Sequence, residues 1–194
     1  MARPKEFDPD QALDRAVELF WSKGYEATSI QDLVETLGIN RSSLYGTFGD
    51  KHTLYVAAID RYCQGVVDPA VAELDGAASP NQAIRRLFLG IAAKVEKGRG
   101  RRGCLLCNAA VERAPVDADV QAEVMGGLAR LGAAFRRALV RARAAEEIPE
   151  AIEPAAFADY LLSGYFGLIV LAKAGRRPPQ LRRTAELVLA PLAP

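Results

Sequence analysis

The segment Thr28–Lys51, TSIQDLVETLGINRSSLYGTFGDK, restricts the fold more than any other part of the chain. Its apolar residues Ile30, Leu33, Val34 and Leu37 recur at three- and four-residue spacing, which places them on one face of a helix. Thr28 is expected to cap that helix, with Gln31 three residues on completing a capping box. Gly38 ends it, because glycine takes the left-handed conformation at little steric cost. Asn40 then caps a second helix, from Arg41 to about Thr47, which buries Leu44 and, at its end, Phe48. The other faces carry Arg41, Ser42, Ser43, Tyr45 and Thr47, a set of hydrogen-bond donors and one aromatic ring. A short helix with an apolar seam and a donor-rich outer side is what a major-groove reader requires.

The rest of the chain reads as helix throughout. Asp8-Pro9 opens a first helix with the buried stripe Leu13, Ala16, Val17 and Phe20, Trp21 packing beside it and Gly24 stopping it. Arg3 and Lys5 precede it, as phosphate contacts or as a frayed terminus. Asp50 caps a fourth helix whose Leu54, Ala57, Ala58 and Ile59 pack on the first three, and Pro69 predicts a kink or break near Gly65–Pro69. Ser79-Pro80 opens the next helix, with Ile84, Leu87, Phe88, Ile91 and Val95 as its stripe. Lys97–Gly103 is a basic glycine-rich loop without a phosphate-loop pattern and reads as a solvated connector. A short helix follows from Cys104, then a long one from Asp117 to about Ala145 buried through Val120, Val124, Leu128, Leu131, Phe135 and Leu139. Two more start at Glu153-Pro154 and Pro178-Pro179. No convincing strand or internal repeat occurs, so the expected fold is all-α with about nine helices.

Composition narrows the function. At 194 residues, half hydrophobic and a quarter charged, the chain is ordinary globular material that forms one or two domains. No uncharged apolar run of about 18 residues is present, so no membrane span is expected. The polar N-terminus predicts no secretory signal. Three cysteines, an odd number, argue against a disulfide framework and for a reducing, cytoplasmic compartment. Net charge is +1, and residues 1–55 carry six Lys/Arg against nine Asp/Glu, which counts against nucleic-acid binding unless the local field around Arg3, Lys5, Arg41 and Lys51 dominates. The only histidine is His52, so an enzyme built on a histidine-activated nucleophile finds no support. Cys104-x-x-Cys107 offers two of the four ligands a zinc site needs, and no metal or cofactor is expected. These thiols are packing residues, sensors or metal ligands. Arg101, Arg102 and the helix start would favour a thiolate at Cys104.

Tyr25, Thr28, Ile30, Gly38, Leu44, Tyr45, Phe48 and Lys51, at these spacings, resemble the N-terminal signature of the TetR/AcrR bacterial transcriptional regulators. The likeness runs from about Phe7 to Tyr62, with Gly46 and Gly49-Asp50 departing from the commonest pattern. It implies a DNA-binding domain at residues 1–50 and an effector-binding and dimerisation domain at 51–194. It further implies a homodimer, a repressor released from a palindromic double-stranded operator by a small-molecule effector, with no membrane partner. The expected DNA contacts are Thr28, Arg41, Ser42, Ser43, Tyr45, Thr47 and Lys51. Phe88, Ile91, Cys104, Cys107, Asn108, Leu128, Phe135, Tyr160 and Tyr165 are the expected effector pocket, with plain core the other reading of the aromatics. The dimer interface is expected at Leu161, Gly164, Leu168, Leu171, Leu187 and Val188. Gly103–Asn108 followed by Glu112 resembles a subgroup in which a cysteine matching Cys104 answers to electrophiles or oxidants. Two alternatives stand beside this: a cysteine-based redox or electrophile-sensing repressor, and an all-α ligand-binding protein with a vestigial helix-turn-helix.

Overall fold

The computed structural model describes residues 7–98 and 100–193, so Arg3 and Lys5 lie outside the described residues. Among those residues it is all-α, without strands. A head is formed by α1 (Pro9–Lys23), α2 (Ile30–Leu37), α3 (Arg41–Phe48) and the start of α4 (Lys51–Tyr62). The body comprises α5 (Asp68–Gly76), α6 (Pro80–Glu96), α7 (Leu105–Glu112), α8 (Ala118–Ala144), α9 (Pro154–Lys173) and α10 (Pro178–Leu189).

The expected break at Pro69 does not occur. A π turn, Cys63–Val67, joins α4 to α5 without interruption, so the ten helices make nine rods. Proline has no N–H to donate and its ring collides with the carbonyl four residues earlier. The wider π turn just before Pro69 accommodates both demands.

Local caps set the head. Asp8 accepts from the Asp10 N–H, Asn40 from Ser43 and Asp50 from Thr53. The cap of α2 is Ser29, whose box partner is Asp32, and not Thr28 with Gln31. Thr28 is fully buried, and its hydroxyl donates to the Gly24 carbonyl at 2.6 Å. Gly38 takes φ 70°, as its role in the turn requires. Phe20, Leu33, Leu44 and Tyr55 form the sealed centre of the head. Leu13 is only half-buried, and Ala12 takes its place in the α1 stripe.

Helix α9 has the length and hydropathy of a membrane span, with a mean hydropathy of 1.6 over its most apolar stretch, although Asp159 breaks any uncharged run. Only 22% of that stretch is buried within the protomer. Its buried side includes Leu161 and Leu168, which the sequence assigned to a dimer interface and which instead fill the protomer's own core. Gly164, likewise expected at that interface, lies against Val188 of α10: a Cβ there would sit 2.9 Å from Val188 Cγ1. Leu171 is half-buried, while Leu187 remains 66% exposed, near the outward Tyr160, Gly167 and Val170 side of the α9–α10 pair only in the sense that all four are left uncovered.

Candidate nucleic-acid interface and effector cavity

Helix α3 buries Leu44 on one side and exposes Arg41, Ser42, Tyr45 and Gly46 on the other. Those four positions fall on one face at helical spacing, so the outward surface is narrow and continuous. Nothing lies within 4 Å of where a Gly46 Cβ would stand, so that face is open to a close-lying partner. Ser43 and Thr47 flank it and are half-buried. Thr28, expected among the contacts, is sealed beneath α2 and presents no atom to a partner. Lys51 is half-buried, with Nζ 4.2 Å from the Tyr25 ring centroid. Partial burial lowers its pKa, since desolvation disfavours the ammonium.

Head and body are tied by an ionic cluster that the sequence did not reveal. The Glu112 carboxylate accepts from the backbone N–H groups of Tyr25 (3.0 Å) and Glu26 (2.9 Å), just after α1. Gly24 sits at φ 84°, and a Cβ on it would come within 3.0 Å of both Glu112 oxygens. Arg113 pairs with Glu26 and Asp117, each at 2.9 Å, and lies 4.7 Å over the Tyr25 ring. Asp117, the α8 cap, also meets His52 Nε2 at 3.0 Å. The His52 hydrogen bond first, then Arg113 and the Val120 N–H, hold the Asp117 carboxyl down at about 2. Asp119 brings a third potential ligand within 4.8 Å of His52 and Asp117. Asp117 is already engaged by Arg113, by His52 and by its own helix, so the arrangement explains itself as a brace.

A cavity of about 610 Å³ opens where α1, α4, α6, α9 and the α6–α7 loop meet. Its apolar wall includes Trp21, Tyr62, Ile91, Tyr165 and Ile169, and its rim is Lys94, Gly98 and Gly100 to Gly103 with Arg101 and Arg102. Of the expected pocket residues, Ile91 and Tyr165 line it. Phe88 and Phe135 are sealed behind Tyr165, with centroids 5.5 and 6.2 Å from its ring. Leu128 packs against the core, and Tyr160 lies outside, 45% exposed beside Phe157, turned about a quarter-turn around α9 from the buried Leu161 and Leu168. Asn108 is spent on Lys173 Nζ at 2.7 Å. The basic loop, read as a solvated connector, is part of the cavity rim; Trp21 Nε1 donates to its Gly103 carbonyl at 3.2 Å.

Cys104 caps α7 and is almost fully buried, one layer behind the cavity, with the Tyr62 hydroxyl 3.4 Å from its sulfur. Its pKa is lowered, but not by Arg101 and Arg102 as expected. The cause is hydrogen bonding from Cys107 and then from Tyr62. Arg102 is instead paired with Glu18. The same Cys104 bond raises Cys107.

Comparisons with known proteins agree with this architecture. Residues 12–58 match the model of bacterial regulatory proteins of the tetR family, and residues 80–188 match the tetracyclin repressor-like C-terminal domain. The HTH-type transcriptional regulator YezE of Bacillus subtilis (strain 168) is 34% identical across 99% of this chain and 100% of its own length. The HTH-type transcriptional repressor ComR of Escherichia coli (strain K12) is 31% identical over 96% of this chain and 90% of its own. A cysteine mutant of the TetR family transcriptional regulator CifR, solved with 26 bp double-strand operator DNA, superposes with TM-score 0.85 and 29% identity, covering 97% of this chain and 98% of that one. A helix-turn-helix head with an open reading face, a long-range brace to an all-α body, and matches along nearly the whole length lead to one conclusion: the chain belongs to the tetR family of bacterial transcriptional regulators.

Proposed function

We propose that the protein is a cytoplasmic, homodimeric repressor that leaves a palindromic operator when a small molecule enters the cavity. One observation carries this reading. The cavity wall contains Trp21 of α1 and Tyr62 of α4, the two long helices that frame the head. An occupant therefore presses on the elements that aim α3. A shift of α4 in each protomer changes the separation of two reading heads, and affinity falls when both half-sites can no longer be engaged together. ComR, a similar protein, is a repressor, and CifR has been solved on operator DNA. The protein acts by binding rather than by catalysis, with residues 1–50 as the DNA-binding unit and 51–194 as the sensing and pairing unit.

Arg41, Ser42 and Tyr45 are the reading surface, and Lys51 steadies the start of α4. Exposure supports a dimer face on α9 and α10, where the apolar Tyr160, Val170 and Leu187 are 45%, 53% and 66% exposed. Burying such a face between two copies is the ordinary use of a large apolar patch.

The test is a titration of labelled palindromic DNA taken from beside the gene itself. Arg41→Ala is expected to relax preference at one base pair at a cost of about 1–3 kcal/mol. Lys51→Ala is expected to weaken all sequences alike. Leu187→Glu is expected to give a monomer in sedimentation and to lose specific binding, although no DNA contact is altered. A monomeric parent protein at micromolar concentration would overturn the dimer, and no binding to any fragment from its own locus would overturn the repressor reading.

A further inference from the structure

We infer that the cavity takes an amphipathic carboxylate with an aromatic or otherwise flat apolar body. This rests on the reading of the cavity as the effector site and adds the chemistry of its occupant. The walls offer the rings of Trp21, Tyr62 and Tyr165, which pack best against flat hydrocarbon. About 610 Å³ is room for a molecule well beyond a single ring, within the usual range of roughly 300–1,000 Å³ for small-molecule pockets.

Charge at the rim has one sign. Among the described residues, every ionisable side chain lining the cavity other than tyrosine is a cation, and no carboxylate lines it. Arg102 is neutralised by Glu18 and lies 5.5 Å over the Trp21 ring, so it closes the wall rather than awaiting a ligand. Lys94 and Arg101 have no salt-bridge partner among the described residues, and both are exposed side chains of the cavity lining. A planar guanidinium beside an ammonium suits a carboxylate, which Arg can hold through two parallel hydrogen bonds. A cationic ligand would be repelled there. A doubly charged phosphate ester would lose more hydration against the same aromatic wall than a single carboxylate does.

The assay is built into the chain. Trp21 is the only tryptophan and lines the cavity, so its fluorescence reports occupancy without a label. The probes are 6-phenylhexanoate and its neutral amide, which share shape and apolar body. The acid is expected to change the emission saturably and to bind at least about tenfold more tightly than the amide, which corresponds to the loss of one charge-assisted contact. Arg101→Gln with Lys94→Gln should bring the acid's affinity down to that of the amide measured on the same variant. Equal affinity for acid and amide, a preference that survives the double substitution, or no saturable response to either probe would overturn the inference. Operator binding is measured separately on the same samples. Saturation of the cavity by the acid without any loss of operator affinity would leave the ligand class standing and overturn ligand-driven release.

Discussion

The head and the body of this molecule are stabilised at different ranges along the chain. In the head, each helix is started by a side chain two or three residues from the N–H it satisfies: Asp8, Ser29, Asn40 and Asp50. The contacts that tie body to head join residues far apart in the chain, as in Trp21 to Gly103 and Glu18 to Arg102 at 82 and 84 positions. The contrast teaches where control resides. The reading surface is set by short-range rules and needs to be rigid. The cavity and the brace are set by packing, so a ligand or a substitution that alters packing reaches the head without touching it.

Four experiments break or sharpen that contrast, taken from the largest expected effect downward. Leu44→Ala removes a fully buried side chain from the centre of the head and is expected to cost about 2–5 kcal/mol. Urea unfolding would measure it, and hydrogen exchange in α8 and α9 would show whether the body survives. If the two are lost together, head and body fold as one unit and the contrast concerns wiring alone. Glu112→Gln keeps the shape but removes the charge that faces the Tyr25 and Glu26 N–H groups, with an expected cost of about 1–3 kcal/mol. Hydrogen exchange at residues 24–28 should accelerate while α3 stays protected; unchanged exchange would mean the brace is idle.

Ser29→Ala should cost about 1 kcal/mol through the lost cap of α2. Comparing its melting curve with that of Gln31→Ala tests the corrected assignment, since Gln31 belongs to no cap and its loss is expected to be near neutral. The last effect is a loss of stability that appears only in acid. Asp117 is held at about 2 in the folded protein, below the ordinary carboxylate value of 3.8. Its contribution is therefore complete above about pH 4 and is lost as pH falls toward 2. Thermal melts of the parent across this window should decline more steeply than those of Asp117→Asn. Parallel slopes would remove Asp117 from the brace.

Much of the head was legible because its signals are local. The left-handed Gly38, the Asn40 cap and the buried Leu44 were all read from spacing, and the structure places each in that role. The one displaced cap shows the limit of such reading. Thr28-Ser29 offers two hydroxyls in succession, and only packing decides that the first turns inward to the Gly24 carbonyl while the second caps α2. Pro69 predicts a kink or break, and a π turn instead absorbs it inside a continuous helix.

The sequence by itself determined the all-α class, the helix-turn-helix and the outward Arg41, Ser42 and Tyr45 of α3, because a helix and its ends are specified by hydrogen bonds closed within about four residues. Only the tertiary structure decided that Leu161 and Leu168 serve the protomer rather than its partner. It also decided that the basic loop frames a cavity and that Glu112 grips the end of α1. Apolar periodicity shows that a residue faces something, but the same leucine satisfies it against its own core or against a second chain. Which of the two occurs depends on how helices distant in sequence fill space together, and that information is carried by no single segment.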